Sequence, residues 1–207
     1  MRDMNTRVFG DLEAVPPSKV ETLLQDLQVT AVANDLIDVG YAFYDSPLGQ
    51  LFLATTEQGL VKVAFAAQDP QAVLQDLATS ISPRILRAPA QLDPVRRQLD
   101  EYFDRERTAF TVPLDRRLSH GFRQRVVEEL SNIGYGQTQT YAQIATTLDN
   151  PKAVRAVGSA CATNPIPIIV PCHRVLRSDG SLGGYLGGLE AKQILLDLER
   201  PRHDTLL

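Results

Sequence analysis

A cysteine and a histidine lie next to each other at Cys172 and His173, and Pro171 separates them from a short apolar run over residues 166–170 that we expect to be a strand. Pro171 has a fixed φ angle and favours extended geometry in the residue before it, so the backbone that carries the cysteine is constrained. An adjacent histidine, with a carboxylate further along the chain, can turn a thiol into a thiolate nucleophile. A free cysteine is also among the most frequently buried residue types, so an isolated pair of this kind would more often serve packing.

The cysteine and histidine content limits the kinds of site that the chain can form. Its two cysteines, Cys161 and Cys172, are too few for a disulfide framework and favour a reducing compartment, so we expect a cytoplasmic protein. The three histidines and two cysteines show no metal-ligand spacing, and we expect neither a metal nor a cofactor. No run is long enough to cross a membrane, and residues 1–11 lack the apolar core of a signal peptide.

Charge is distributed unevenly along the chain. The net charge of −4 argues mildly against a protein that binds phosphate backbones throughout its length. Residues 1–116 carry a net charge of −6, whereas residues 117–207 carry +2. Any contact with nucleic acid is therefore expected in the second part.

The first half divides into an N-terminal extension over residues 1–36 and a scaffold over residues 37–116. In the extension, residues 19–27 have the apolar spacing of a helix. In the scaffold, alternating apolar residues separated by turn residues predict a three-stranded antiparallel meander. The expected strands are residues 41–44, 50–55 and 60–65, followed by helices over 70–78 and 94–103 and a further strand at 109–113. The scaffold has no polar cluster that indicates a site.

The second part, residues 117–207, reads as mostly helical. An apolar stripe predicts a helix that ends at Gly134, and Thr140 with Gln143 forms a capping box that opens a helix to about residue 147. Asn150 as a cap and Pro151 as a first residue predict that the next helix runs to about residue 162. Two short helices joined by a tight turn are typical of a helix-turn-helix, although many such pairs only pack.

Small side chains dominate the second of these helices. A helix with short side chains can bring its backbone close to a narrow groove, as binding in the minor groove of DNA requires. Arg155 is the long cationic exception, either a solvated surface residue or a side chain inserted where a base has left the stack. The small residues are Ala153, Ala156, Gly158 and Ser159.

The C-terminal stretch joins a glycine-rich segment to a last helix. Glycines at residues 183–188 surround Tyr185 and let the backbone approach a ligand closely. A helix over residues 189–199 places Glu199 on its last turn. Its expected inward residues are Ala191, Ile194, Leu195 and Leu198.

Together these motifs resemble the methylated-DNA–protein-cysteine methyltransferases. The resemblance covers about residues 37–200 and is most specific over residues 141–189. It is carried by Asn-Pro-Ile-Pro at 164–167, Val-Pro-Cys-His-Arg-Val at 170–175, Gly-Gly-Tyr at 183–185 and Gly-Gly-Leu at 187–189. The resemblance implies an α/β protein of the α+β type, with a small antiparallel-sheet-plus-helices domain followed by a winged helix-turn-helix-like domain that carries the reactive cysteine.

The resemblance also implies residue roles. Cys172 is the alkyl acceptor, His173 removes its proton through a water molecule, and Glu199 orients the histidine. Asn164 ties the recognition helix to the active-site loop, Tyr141 assists protonation of the departing guanine, and Arg155 fills the gap left by the flipped nucleotide. The implied lesion pocket is formed by Pro167, Val175, Tyr185 and Leu186.

The implied reaction is direct repair of O6-alkylguanine, and of O4-alkylthymine, in double-stranded DNA bound through its minor groove. The alkylated oxygen lies inside the duplex, so the nucleotide must be turned out before a thiolate can reach it. A thioether product resists cleavage by water, so each molecule is expected to act only once. We also expect the protein to act as a monomer, and we leave cooperative binding to DNA open.

Three other readings compete with this one. A damage sensor of similar fold that lacks the acceptor is disfavoured by the presence of Cys172. A cysteine hydrolase would usually have its base distant in sequence rather than at His173. A transcriptional regulator is conceivable from the helix pair, but no effector domain is visible in the sequence.

Overall fold

The computed structural model of the chain describes residues 16–201 and divides it into two units, Met1–Leu36 and Ile37–Leu207. The expectations for residues 1–11 and for the C-terminal end beyond residue 201 lie outside the described part. In the first unit, helix α1 spans Pro17–Ala33, longer than the predicted residues 19–27. A proline opens it, because the first helical residue needs no N–H donor.

The second unit begins with a four-stranded sheet. Strands β1 (Val39–Ser46), β2 (Gly49–Thr56) and β3 (Gly59–Phe65) form the predicted antiparallel meander, and this prediction is confirmed. A fourth strand, β4 (Ile85–Arg87), was missed; it pairs in parallel with β1 and gives the order β3-β2-β1-β4. With only three residues, β4 is too short to show an alternating pattern.

Helices α2 (Pro70–Ser80) and α3 (Asp93–Phe103) follow the prediction closely. The strand predicted at residues 109–113 is wrong: the segment is irregular, and only the residue after it, Leu114, forms an isolated bridge, with Leu60. Gly59, with φ at +130°, fits here because a Cβ atom would lie 2.3 Å from the carbonyl oxygen of Pro113.

Over residues 117–201, the second part of this unit holds four α-helices and a two-stranded parallel ladder. The helices are α4 (Gly121–Leu130), α5 (Tyr141–Thr147), α6 (Val154–Ala162) and α7 (Gly188–Glu199). Strand β5 (Gln139–Thr140) pairs with β6 (Val175–Leu176), and a bridge from Leu176 to Leu182 closes a wing after β6. The expected α+β architecture with a winged helix-turn-helix is confirmed.

Two helix boundaries differ from the prediction. Helix α4 ends at Leu130 rather than at Gly134, and Ile133 is buried in the turn that follows. Helix α6 begins at Val154 rather than at Pro151, because Asp149 adopts a positive φ of 56° and residues 150–153 form a separate turn. Ala153 is consequently the N-cap of α6 and not part of the helix.

One apolar core runs through this unit. It packs Leu51 and Leu53 of the sheet with Leu99 of α3, Val157 of α6 and Leu195 of α7. A second cluster lies on the other face of the sheet, under Val73 and Leu77 of α2. The first core contains side chains from both sides of the proposed boundary at residues 116/117, which stays a prediction.

Candidate active site and nucleic-acid interface

The apolar run before the cysteine is a buried loop, not the expected strand. The backbone N–H of Val63, in β3, donates to the carbonyl of Pro165 at 2.8 Å and so fixes the loop against the sheet. Ile168 adopts a positive φ of 74°, which is costly for a β-branched residue, by about 1–3 kcal/mol. Packing of the surrounding residues thus imposes this backbone conformation, which the apolar pattern of the sequence does not indicate.

Asn164 links this loop to the sulfur of Cys172. Its buried side-chain amide donates to the Val170 carbonyl at 2.9 Å and to Cys172 Sγ at 3.2 Å. Its side-chain oxygen accepts from the backbone N–H of Ile166 at 3.1 Å. Asn164 therefore holds the loop and the sulfur at the C-terminal end of α6 at the same time.

Cys172 opens a short 3₁₀ turn over Cys172–Arg174 and is only 2% exposed. Burial raises the pKa of its thiol to about 11, although the hydrogen bond from Asn164 and the charge of Lys192 both act to lower it. The ground state is consequently a thiol, and a base is needed to make the nucleophile.

His173 is fully buried, and its Nε2 lies 2.9 Å from Glu199 Oε1. Burial lowers the pKa of His173 despite the neighbouring carboxylate, so the ring is neutral near pH 7. Because an ionised Glu199 can only accept, Nε2 carries the proton and Nδ1 is the acceptor. Among residues 16–201, this Nδ1 atom is buried without a hydrogen-bond partner.

Glu199 is the centre of a buried network. Burial would raise its pKa, but hydrogen bonds from His173 and Arg174 outweigh this and hold the pKa near 2. The guanidinium of Arg174 donates to both carboxylate oxygens at 2.8 Å, Tyr102 donates at 2.7 Å, and the Gly136 N–H donates at 3.2 Å. The carboxylate is therefore ionised and fixed in position.

Three residues near the site were missed in the sequence analysis. Arg174 pairs with Glu199 and also donates to the carbonyl of Ile133. Tyr102 reaches the same carboxylate from the scaffold, and no local pattern links two residues so far apart in sequence. Lys192 could have been found, because it lies seven residues before Glu199 on the same face of α7.

Lys192 is fully buried, and its ammonium donates to the Val175 carbonyl at 2.6 Å. Burial lowers the pKa of Lys192, while the neighbouring Cys172 and Cys161 act to raise it. Its charge thus favours the thiolate form of Cys172. The predicted inward face of α7 is corrected here: Ile194 is 38% exposed, and Lys192 is buried instead.

The expected pocket residues lie around the buried cysteine turn. Pro167 and Val175 are buried, and Leu186 is partly buried against the main core. The ring of Tyr185 packs edge-on against Phe65 at 5.6 Å and faces the His173 ring at 6.4 Å between centroids. Among the described residues the Tyr185 hydroxyl has no hydrogen-bond partner, and burial raises its pKa.

Tyr141 is the first residue of α5 and lies between Gly158 of α6 and Gly183 of the glycine-rich segment. The capping box before it is confirmed, with Gln143 N–H donating to Thr140 Oγ1 at 3.1 Å and Thr140 N–H donating to Gln143 Oε1 at 2.7 Å. The Tyr141 hydroxyl passes so close to Gly183 that a Cβ there would lie 2.2 Å away. Burial raises the pKa of Tyr141 to about 12, so it remains a proton donor.

Helix α6 presents small residues to the surface as expected. Arg155, Ala156 and Ser159 are exposed, and Gly158 is partly exposed beside the Tyr141 ring. The Arg155 guanidinium makes no hydrogen bond or ion pair with any residue in the described range. A surface of small side chains with one exposed cation therefore lies next to Tyr141.

Two further observations concern residues 16–201. No helix there is long and apolar enough to cross a membrane. No group of three or more histidine, cysteine or acidic residues there is placed to hold a metal ion.

The fold and site define a class: a winged helix-turn-helix protein with a buried thiol beside a histidine and a carboxylate. Family profiles match both parts of the chain, the "6-O-methylguanine DNA methyltransferase, ribonuclease-like domain" over residues 39–116 and the corresponding "DNA binding domain" over residues 121–201. The chain therefore belongs to the methylated-DNA–protein-cysteine methyltransferase family.

Similar proteins support this membership. The methylated-DNA–protein-cysteine methyltransferase of Methanosarcina acetivorans is 41% identical over 159 residues, which cover 77% of this chain and 97% of that protein. The bifunctional transcriptional activator and DNA repair enzyme Ada of Escherichia coli is 40% identical over 92% of this chain and 54% of its own length. A crystal structure of Mycobacterium tuberculosis OGT in complex with DNA is 39% identical, with a TM-score of 0.69 over 78% of this chain and 92% of that chain.

Proposed function

We propose that Cys172 is the residue that takes the alkyl group in the direct repair of O6-alkylguanine in DNA. Direct-reversal repair by alkyl transfer to a cysteine is the activity of the family to which the chain belongs. The observation that carries the assignment is the pair formed by a buried thiol and a histidine whose Nδ1 is an unpaired acceptor. A water molecule between them would carry the thiol proton to Nδ1.

The proton transfer is favoured by the network behind the histidine. When His173 accepts a proton at Nδ1, it becomes an imidazolium hydrogen-bonded to the ionised Glu199. Arg174 and Tyr102 hold that carboxylate in place, so little reorganisation is needed. The Asn164 amide and the Lys192 charge stabilise the thiolate that remains on Cys172.

The transfer step is a displacement at the saturated carbon of the alkyl group. The sulfur–carbon bond forms as the carbon–O6 bond breaks, and the electron pair of that bond goes to the guanine. The Tyr141 hydroxyl donates a proton to the leaving base. The Tyr141 oxygen then takes a proton back from solvent while the His173 imidazolium releases one, so the net proton moves from the thiol to guanine. The product is a thioether and an intact base.

The reaction is expected to occur once per molecule. A thioether is not readily cleaved, and a second thiol would have to act as a nucleophile to remove the group. Cys161 is buried in α6, and burial raises the pKa of its thiol well above the ordinary range. It therefore remains a protonated packing residue.

DNA is the partner, and α6 is the element that we assign to its minor groove. The exposed small residues let the helix backbone approach the groove closely, and Arg155 enters the stack in place of the extruded nucleotide. The target base would then occupy the space bounded by Pro167, Val175, Tyr185 and Leu186. Action as a monomer, action on O4-alkylthymine and a cytoplasmic location are further expectations of this proposal.

The test is mass spectrometry after incubation with a duplex that contains one O6-methylguanine. We expect one added methyl group on the Cys172 peptide and no more than one equivalent of repaired base. Cys172→Ala should abolish the modification, whereas the matched variant Cys161→Ala should retain it. A methyl group on Cys161, or repair by Cys172→Ala, would refute the assignment.

A further inference from the structure

Arg177 is an exposed cation at the edge of the proposed lesion pocket. It follows β6 directly and begins the wing, which we define as residues 177–182. In the parallel ladder, Gln139 pairs with Val175 and Thr140 with Leu176. The next residues along the two chains are Tyr141 and Arg177, so both leave the ladder at the same end, from strands about 5 Å apart.

The wing is held rigidly in this position. The backbone N–H of Arg177 donates to the Ser181 carbonyl at 3.0 Å, and the Gly180 N–H donates to the Arg177 carbonyl at 2.9 Å. The Asp179 carboxylate accepts from both the N–H and the hydroxyl of Ser181, at 2.9 and 2.6 Å. The one acidic residue of the wing is thereby engaged within the turn.

The Arg177 guanidinium makes no hydrogen bond or ion pair within the described part of the chain. Its field nevertheless reaches into the site, where it acts to lower the pKa of Tyr141 and of Lys192. Arg177 is exposed, and its charge is therefore close enough to act on groups of the site as well as on Asp179 of the wing. Arginine is well suited to such a place because its planar fork can bind two phosphate oxygens at once.

We propose that Arg177 binds a backbone phosphate next to the flipped nucleotide and so forms, with α6, a second DNA contact on the wing. A nucleotide that turns out of the duplex brings its flanking phosphates to the pocket mouth, where Tyr141 and Arg177 lie. Helix α6 then supports the duplex, while the wing holds the displaced strand. The inference rests on the proposed function and adds a residue to its DNA interface.

The experiment measures single-turnover methyl transfer to Cys172 from duplexes that carry one O6-methylguanine. One duplex has native phosphates, and others each replace a single phosphate flanking the lesion with an uncharged methylphosphonate. For the wild-type chain, we expect one replacement to slow transfer roughly tenfold to a hundredfold, as for loss of a charge-assisted hydrogen bond. Arg177→Ala should slow transfer from the native duplex by a similar factor.

The deciding result is the combination of the two changes. If Arg177 binds that phosphate, replacing the phosphate should hardly change the transfer rate of Arg177→Ala. The plot of log affinity against log salt concentration should also be shallower for Arg177→Ala than for the wild-type chain, by a slope of about 0.9. Arg177→Lys keeps the charge and should therefore keep the wild-type salt dependence. It should transfer the methyl group more slowly than the wild-type chain, because lysine cannot bind two phosphate oxygens at once. The matched variant Arg87→Ala removes an exposed cation of β4 and should leave every one of these ratios unchanged.

Each other outcome has a defined meaning. If Arg177→Ala slows all duplexes by one common factor, the residue acts on Tyr141 or on folding, and the phosphate contact is wrong. If no flanking replacement affects the wild-type chain, the contact is likewise refuted, independently of any variant's stability. If the wild-type chain leaves Cys172 unmodified with the native duplex, it is the proposed function itself that fails.

Discussion

Glu199→Gln should destabilise the protein strongly, although it changes only one oxygen to an amide. The carboxylate is 2% exposed and receives a two-pronged ion pair from Arg174, whose side chain is itself buried. Removing one partner of a buried pair leaves an uncompensated charge and typically costs about 3–5 kcal/mol. The pKa near 2, against an ordinary 4.5, independently corresponds to about 3 kcal/mol of stabilisation.

The sign of the pH dependence follows from the direction of this pKa. A carboxylate whose pKa is lowered by folding stabilises the native state above about pH 4.5, and that contribution is lost as the pH falls towards 2. Urea unfolding followed by circular dichroism from pH 7 to pH 3 would measure it. We expect the free energy of unfolding to fall more steeply with acid in the wild-type chain than in Glu199→Gln.

The matched control is Asp197→Asn, on the same helix and in an exposed ion pair with Arg200. Such pairs contribute at most about 1 kcal/mol, so this variant should stay close to the wild type. Equal stability of Glu199→Gln and Asp197→Asn at pH 7 would show that the buried network contributes nothing measurable. That outcome would also contradict the role of the buried network in keeping Glu199 ionised as the hydrogen-bond acceptor of His173.

Three further predictions concern the reaction. His173→Ala should slow methyl transfer by about 10²–10⁴-fold in a single-turnover assay, as expected for loss of a general base. The control His120→Ala, at an exposed histidine, should leave the rate unchanged. An equal effect of both variants would contradict the role of His173 Nδ1. The wild-type rate should not change between about pH 7 and 10, because neither the lowered His173 pKa nor the Cys172 pKa of about 11 lies in that range. The rate of His173→Ala should rise about tenfold per pH unit over the same range, because the thiolate must then form without the histidine. Parallel pH profiles of the two proteins would refute the proton transfer. Gly183→Ala should slow repair, because the added Cβ would lie 2.2 Å from the Tyr141 hydroxyl. Gly184→Ala is the control and should repair at the wild-type rate, because the space around Gly184 is open. Repair by Gly183→Ala at the wild-type rate would show that Tyr141 can move without penalty.

The parts of the fold that the sequence predicted are those fixed by local chemistry. Thr140 and Gln143 cap α5 because their side chains satisfy backbone groups three residues apart. The meander follows from alternating apolar residues and glycine turns, such as the one at Gly59. Cys172, His173 and Glu199 were identified through a motif, and the structure brings the last two into direct contact.

The parts that the sequence did not predict depend on tertiary packing. Residues 166–170 have the composition of a strand, yet the amide of Asn164 and the positive φ of Ile168 fold them into a loop. The spacing of Lys192 and Glu199 indicates that they share one face of α7, but the hydrogen bond from Lys192 to the Val175 carbonyl depends on how another segment packs. The start of α6 was misplaced because Asn150 and Pro151 form a turn of their own before the helix.

The scaffold contributes directly to the reactive site, although its sequence shows no polar cluster. Tyr102 donates from α3 to Glu199, and Val63 donates from β3 to the loop that precedes Cys172. Phe65 packs on Tyr185 and would collide with any side chain at Gly187. The scaffold thus fixes the Glu199 carboxylate, the loop before Cys172 and the ring of Tyr185. In the proposed reaction the Cys172 thiol, with a pKa of about 11, must lose its proton to His173. That transfer requires a histidine and a carboxylate in fixed positions, and the scaffold helps to fix them.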